Sequence, residues 1–229
     1  MKKLVVLTGA GMSAESGIST FRDSGGLWEK YKVEEVATPE GFEANPGLVL
    51  DFYNQRRKQL YTCQPNEGHL GLAALEKDFE VYIITQNVDN LHERASSTNV
   101  LHLHGELTKA CPVGDPYTVY DIPPGKDLQL GDTDPQGRQL RPFIVWFGEA
   151  VPMIEPAIRQ IADADIFVII GTSLNVYPAA GLLGYARRGQ PIFLIDPQEV
   201  HTCRTDIHFI RALASEGVRQ LTRLLKEYR

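Results

Sequence analysis

The sequence predicts an α/β fold built on a doubly wound parallel sheet, and three observations lead to it. Apolar, β-branched runs recur along the chain and are continuous rather than alternating, as in strands buried on both faces. Helical patterns separate several of these runs, the order a parallel sheet requires. The first run ends in a glycine-rich turn, Gly9-Ala10-Gly11-Met12-Ser13-Ala14, where a strand gives way to a helix.

The strand runs are 4–7, 81–85, 100–103, 143–147, 166–170 and 191–195. Helical patterns cover 69–77, 86–95, 155–162 and 179–188. Residues 216–228 place Val218, Leu221, Leu224 and Leu225 on one stripe, the pattern of a helix docked on the sheet. Another helix starts after Asn45-Pro46, a cap residue followed by a proline at the first helical position. Two segments, 23–67 and 109–141, interrupt the alternation. The second is rich in Pro, Gly and Asp and reads as an irregular insertion.

Composition narrows the function. A chain of 229 residues fits one large domain, or one plus a small inserted module. With 43% hydrophobic and 23% charged residues it reads as soluble and globular. The net charge, 23 − 29 = −6, argues against phosphate-backbone binding, so no nucleic-acid partner is expected. No apolar run approaches the ~20 residues of a spanning helix, and no membrane partner is expected. The apolar part of Lys2-Lys3-Leu4-Val5-Val6-Leu7 is shorter than an export core of about 7–15 residues, so the expected location is cytoplasmic. The three cysteines, Cys63, Cys111 and Cys203, form no Cys-x-x-Cys pair, which leaves no disulfide framework and no four-cysteine zinc site.

The glycine turn fits a dinucleotide site. Gly9 allows the tight turn, Gly11 lets the backbone approach a pyrophosphate, and Ala14 lets the helix pack on the sheet. Amides at the helix start then face the anion. The second strand begins only near Val81, and no acidic ribose residue follows at about 20 residues, which disfavours a conventional dehydrogenase. Gly171-Thr172-Ser173 follows one buried strand and Asp196 ends another, where open α/β sheets bind ligands. Asp196 also suits a turn before Pro197.

The segment Gly9 to Ile18, followed by Phe21-Arg22-Asp23, resembles the sirtuin family of NAD-dependent protein deacylases. So do Thr85-Gln86-Asn87-Val88-Asp89-Asn90-Leu91-His92, Leu103-His104-Gly105-Glu106, Phe147-Gly148-Glu149 and Gly171-Thr172-Ser173. The resemblance implies a Rossmann-type large part (1–22, 68–108, 142–229) and a smaller domain from the insertions 23–67 and 109–141. It implies NAD as co-substrate, held by Gly9, Ala10, Gly11, Ala14, Phe21, Arg22, Gln86, Asn87, Asp89, His104, Gly171, Thr172, Ser173 and Asp196. It implies His104 as general base, with Asn87 and Asp89 as further catalytic residues. The products would be nicotinamide, O-acyl-ADP-ribose and free lysine. Histidine suits the base because its ordinary pKa, about 6.5, lies near working pH. Arg22 would hold the loop between Gly11 and Trp28 over the cofactor. On residue chemistry alone, His102 or His104 could be a core histidine, and Asn87 and Asp89 could cap a helix.

Val145-Trp146-Phe147-Gly148-Glu149 and Asn175-Val176-Tyr177-Pro178 resemble the family's substrate segments, so the expected partners are acyl-lysine proteins or peptides added as an extended strand. Val145 and Phe147 also suit sheet core. Val49, Tyr53, Arg56 and Leu60 share a helical stripe, and Tyr53 and Arg56 could together grip a carboxylate. This pair, with Ala37 upstream, resembles the desuccinylase and demalonylase branch. An internal ion pair between Arg56 and a nearby carboxylate such as Glu40 is the alternative. Most sirtuins carry two Cys-x-x-Cys pairs where this chain has only Cys111, so no structural zinc is expected. The readings left open are a deacylase for acidic acyl groups, a plain deacetylase, an NAD hydrolase or ADP-ribosyltransferase, and a noncatalytic NAD-sensing module.

Overall fold

The computed structural model describes residues 1–18, 30–202 and 204–229. Phe21 and Arg22 therefore lie outside the described residues. β1 (Lys3–Thr8) runs into the short helix α1 (Gly11–Ala14). Then come α2 (Val33–Val36), α3 (Pro39–Ala44), α4 (Pro46–Thr62), α5 (Glu67–Ala74), β2 (Glu80–Thr85), α6 (Leu91–Arg94) and β3 (Val100–His102). β4 (Gly105–Pro112), β5 (Tyr120–Asp121), β6 (Leu140–Ile144) and α7 (Ile154–Ala162) follow. β7 (Ile166–Ile170), β8 (Ile192–Ile195), β9 (Ile207–Ile210) and α8 (Ala214–Leu224) complete the order.

The large sheet has six parallel strands in the order β3-β2-β1-β7-β8-β9. The chain winds outward from β1 in one direction, then returns to β7 and winds outward in the other, which is the doubly wound topology. Strand side chains alternate between the faces. Leu4, Val6, Ile83 and Val168 pack with Leu72 of α5 and Val218 and Leu221 of α8. Val5, Leu7, Ile84, Phe167 and Ile169 pack on the other face with Ala157 and Ile161 of α7 and with Leu182. Strands covered on both faces need no polar side, which explains their continuous apolar runs.

A three-stranded antiparallel sheet, β5-β4-β6, stands apart from the large one. Its core joins Leu107, Ala110 and Ile144 to Val36, Phe42, Val49, Phe52 and Tyr53 from the first insertion. The second insertion is thus ordered rather than irregular. Asp134 accepts the Gln136 and Arg138 amides and the Arg138 Nε–H at 2.7 Å, and Arg138 also meets Asp115 at 3.1 Å. Asp115 and Asp134 are thus internal partners of an arginine.

Other expectations also change. Residues 143–147 do not join the large sheet; β6 pairs with β4 instead. Only Leu91–Arg94 of 86–95 is helical, and 179–188 forms the 3-10 turn Ala179–Tyr185. In α4 the fully buried cation is Arg57, 2% exposed and bonded to Asn54, while Arg56 is half-buried.

Candidate active site

The switch point lies between β1 and β7, and the loops beyond the carboxyl ends of these strands meet there. Gly9 donates its N–H to the Ile170 carbonyl and Gly11 donates to the Gly171 carbonyl, each at 2.9 Å. A Cβ on Gly9 would meet the Gly171 oxygen at 2.7 Å. One on Gly171, whose φ is +62°, would meet the Gly11 carbonyl carbon at 2.5 Å. These glycines let two loops cross in backbone contact. At the helix start Met12 and Ser13 donate to the Gly9 and Ala10 carbonyls, within the turn itself, while the Gly9 and Gly11 amides serve the crossing.

Beyond β2 the chain stays extended instead of entering a helix, because its polar side chains bond to that loop. Asn87 donates its side-chain amide to the Gly9 carbonyl at 3.0 Å and to Ser13 Oγ at 3.2 Å. Its own N–H goes to Thr85 Oγ1 at 3.0 Å. Asp89 accepts from Ser13 Oγ at 2.9 Å and from the Leu91 N–H at 3.1 Å, so it also caps the start of α6. Burial raises the Asp89 pKa, and these hydrogen bonds oppose the rise.

His104 follows β3. Its Nδ1 lies 3.0 Å from the Gln86 carbonyl, which can only accept, so Nδ1 carries the proton. Nε2 is left as the basic nitrogen and has no protein partner among the described residues. Burial holds the His104 pKa below its ordinary 6.5, so the ring is neutral near pH 7. Gln86 continues the link, its amide donating to Thr172 Oγ1 at 3.2 Å. Ala10, Gly11, Ala14, Gly171 and Ser173 line the same loops. Asp196 directly follows β8 and accepts the Gln198 N–H at 2.9 Å, so the turn reading is realised. It also lines a cavity of about 100 Å³ with Ser173, Asn175 and His201.

The substrate candidates form two groups. In one, Phe147 donates its N–H to the Ala37 carbonyl at 2.9 Å, and Val145 donates to the His104 carbonyl at 3.0 Å. Buried Trp146 donates its indole N–H to the Tyr53 phenol oxygen at 3.0 Å. Arg56 lies over the Tyr53 ring at 5.7 Å. Burial pushes the Tyr53 pKa up to about 12, so the phenol keeps its proton. Glu149 takes both terminal nitrogens of Arg141 and the Trp146 N–H, which secures the turn at Gly148. Phe147 is 49% exposed at the rim. In the other group, Asn175, Val176 and Tyr177 sit exposed on the loop after β7.

Among the described residues, no three His, Cys, Asp or Glu side chains are placed to hold a metal ion. Buried Cys111 lies beside Arg141, while Asp115 and Asp134 are engaged by Arg138. This set does not fit a tetrahedral thiolate site. Sequence reasoning missed Ser13, Thr85, Trp146 and Arg141 as members of the site. Ser13, Thr85 and Trp146 lie inside the motifs given above, which is the signal that could have found them.

A doubly wound sheet with an imidazole, an amide and a carboxylate at its switch point defines an α/β nucleotide-site enzyme architecture. Residues 9–178 match the model of the Sir2 family, and the chain belongs to that family. It is 64% identical over 231 residues to an NAD-dependent protein deacylase of Bacteroides thetaiotaomicron, covering 98% of each chain. Among solved structures it is similar to a Sir2 homologue in complex with NAD, with a TM-score of 0.88, 40% identity, and coverage of 99% of this chain and 90% of that one. A mutant Sir2 homologue bound to ADP-ribose gives a TM-score of 0.90, with 38% identity, 99% coverage of this chain and 93% of that one.

Proposed function

We propose that this chain is an NAD-dependent protein-lysine deacylase that accepts succinyl and malonyl groups as well as acetyl. The observation that carries the reading is the His104–Gln86 bond, which leaves one imidazole nitrogen basic and unengaged at the switch point. The polar set around it fits NAD: Asn87 and Asp89 on the nicotinamide and ribose side, Gly171 to Ser173 toward the phosphates, and Asp196 toward the adenosine end. Bound NAD supplies the labile bond between nicotinamide and ribose and the ribose hydroxyls that receive the acyl group. His104 Nε2 takes a hydroxyl proton, and its fixed tautomer keeps that lone pair aimed. Asn87 orients amide groups through a side chain already held by Gly9 and Ser13.

In this reading 1–22, 68–108 and 142–229 carry the dinucleotide, and the insertions 23–67 and 109–141 supply the acyl pocket. The acyl-lysine peptide runs between Val145–Glu149 and Asn175–Tyr177. Two features support acceptance of acidic acyl groups. The Trp146 bond occupies a lone pair of the Tyr53 oxygen and leaves the phenol proton free to donate. Arg56 adds a cation on the same helix face. The test is incubation with NAD and acetyl-, malonyl- and succinyl-lysine peptides, read by mass spectrometry. O-acyl-ADP-ribose formed only with acylated peptide supports the reading. Free ADP-ribose without peptide dependence points instead to an NAD hydrolase.

A further inference from the structure

We propose that Glu93 and His102 form a positioning pair that fixes the Asn87 peptide plane, and through it the Asn87 side chain, in the candidate active site. The inference rests on the deacylase reading for its kinetic consequences and on geometry for everything else.

His102 ends β3, one residue before the turn that carries His104. Its Nε2 lies 2.7 Å from Glu93 Oε1 and its Nδ1 lies 3.2 Å from the Asn87 carbonyl. Both neighbours are acceptors, so both ring nitrogens carry protons. Burial disfavours the charged ring, but the Glu93 hydrogen bond and charge outweigh it and raise the His102 pKa. The His102 ring is 8% exposed, so the bond is charge-assisted and its imidazole end is held inside the fold, while Glu93 meets it from the surface.

His104 and His102 thus hold consecutive carbonyls, those of Gln86 and Asn87, on one loop. Their second nitrogens differ. That of His104 is left basic, while that of His102 is held by Glu93. His102 therefore has no lone pair for proton transfer, and its effect runs through Asn87. With the carbonyl held by His102 and the N–H held by Thr85, the Asn87 backbone is fixed on both sides. The side chain can then reach Gly9 and Ser13 together. The His102 charge also favours the ionised form of Asp89, two residues further on.

Glu93→Gln, His102→Gln and the double variant should be compared with wild type. Turnover is followed with NAD and an acetyl-lysine peptide, and NAD affinity by calorimetry. His102→Gln is expected to lower kcat roughly 10- to 100-fold through misplacement of the pocket, with peptide KM changed less than about threefold. Glu93→Gln loses less, in the same direction. The double variant loses no more than His102→Gln, because the partners act as one unit. Unchanged kcat and NAD affinity in both single variants would overturn the proposal. So would additive losses, or a uniform loss that follows a fallen Tm. If wild type itself does not turn over, the deacylase reading fails. The pair is then judged on NAD affinity, where weakening in both variants supports it and no change overturns it. If His102→Gln does not fold, Glu93→Gln carries the test, since its side chain is 38% exposed.

Discussion

Trp146 donates its indole N–H to the phenol oxygen of Tyr53 across 3.0 Å, joining the segment after β6 to the middle of α4. The bond sets which way the phenol proton points, and so what Tyr53 offers a ligand. If the phenol and Arg56 receive an acyl carboxylate, Tyr53→Phe and Arg56→Met should each lower kcat/KM for succinyl-lysine peptide by about 10-fold or more, since a lost charge-assisted bond is worth roughly 1.5–3 kcal/mol. Acetyl-lysine kcat/KM should change less than about threefold. Equal loss on both peptides, or no loss on either, would remove the acyl-selector role.

Gly171 is the tightest point of the loop crossing. A methyl group there would meet Gly11 backbone at 2.5 Å in a residue with φ of +62°. Gly171→Ala should destabilise the protein by roughly 1–3 kcal/mol, the usual cost of overpacking, and weaken NAD binding more than peptide binding. Thermal unfolding and NAD titration check this. A variant with wild-type Tm and NAD affinity would mean that the crossing is not tight in solution.

The pH profile follows from His104. A general base works unprotonated, and burial holds this imidazole below 6.5. The midpoint of the acid limb of kcat/KM should therefore lie below pH 6.5. A limb centred at or above 6.5 would contradict the neutral, buried ring.

Stability has its own acid limb, from His69. This buried ring accepts the Asn66 N–H through Nδ1, packs edge-on to His92 at 4.8 Å, and has its pKa pushed down to about 4 by burial. As pH falls below 6.5 the unfolded chain takes up a proton that the folded chain refuses. Stability is thus lost between pH 6.5 and about 4, by up to about 3 kcal/mol. His69→Gln keeps an acceptor for the Asn66 N–H without titrating, and should flatten the fall of Tm over this window. An unchanged slope would assign the acid limb to other groups.

Much of this was legible in the sequence, for physical reasons. Strands buried on both faces leave continuous apolar runs, so β1, β2, β7 and β8 stand out, and the edge strand β3 shows through its run 100–103. The other edge strand, β9, does not, because exposed His208 interrupts its apolar residues. The pattern over 86–95 resembles a helix, but Gln86, Asn87 and Asp89 bond to the crossing loops instead, a choice only tertiary contact can make. The small sheet is hidden for the same reason, since β4 and β6 are distant in sequence and their loops depend on Arg138 reaching Asp115 and Asp134. The glycine turn was found by its pattern, yet its partner Gly171 lies on another strand. His104 and His102 look alike in sequence, and only the atoms they touch separate a basic nitrogen from a shared one.

The central claim is that one imidazole nitrogen, left basic by the Gln86 bond, couples acyl removal to the breaking of NAD. The most direct measurement follows nicotinamide and O-acyl-ADP-ribose together in wild type and His104→Ala, with acetyl-lysine peptide and NAD. The account predicts matched amounts of both products from wild type and loss of O-acyl-ADP-ribose in the variant by about 100-fold or more. Wild-type rates of O-acyl-ADP-ribose formation in His104→Ala would contradict it.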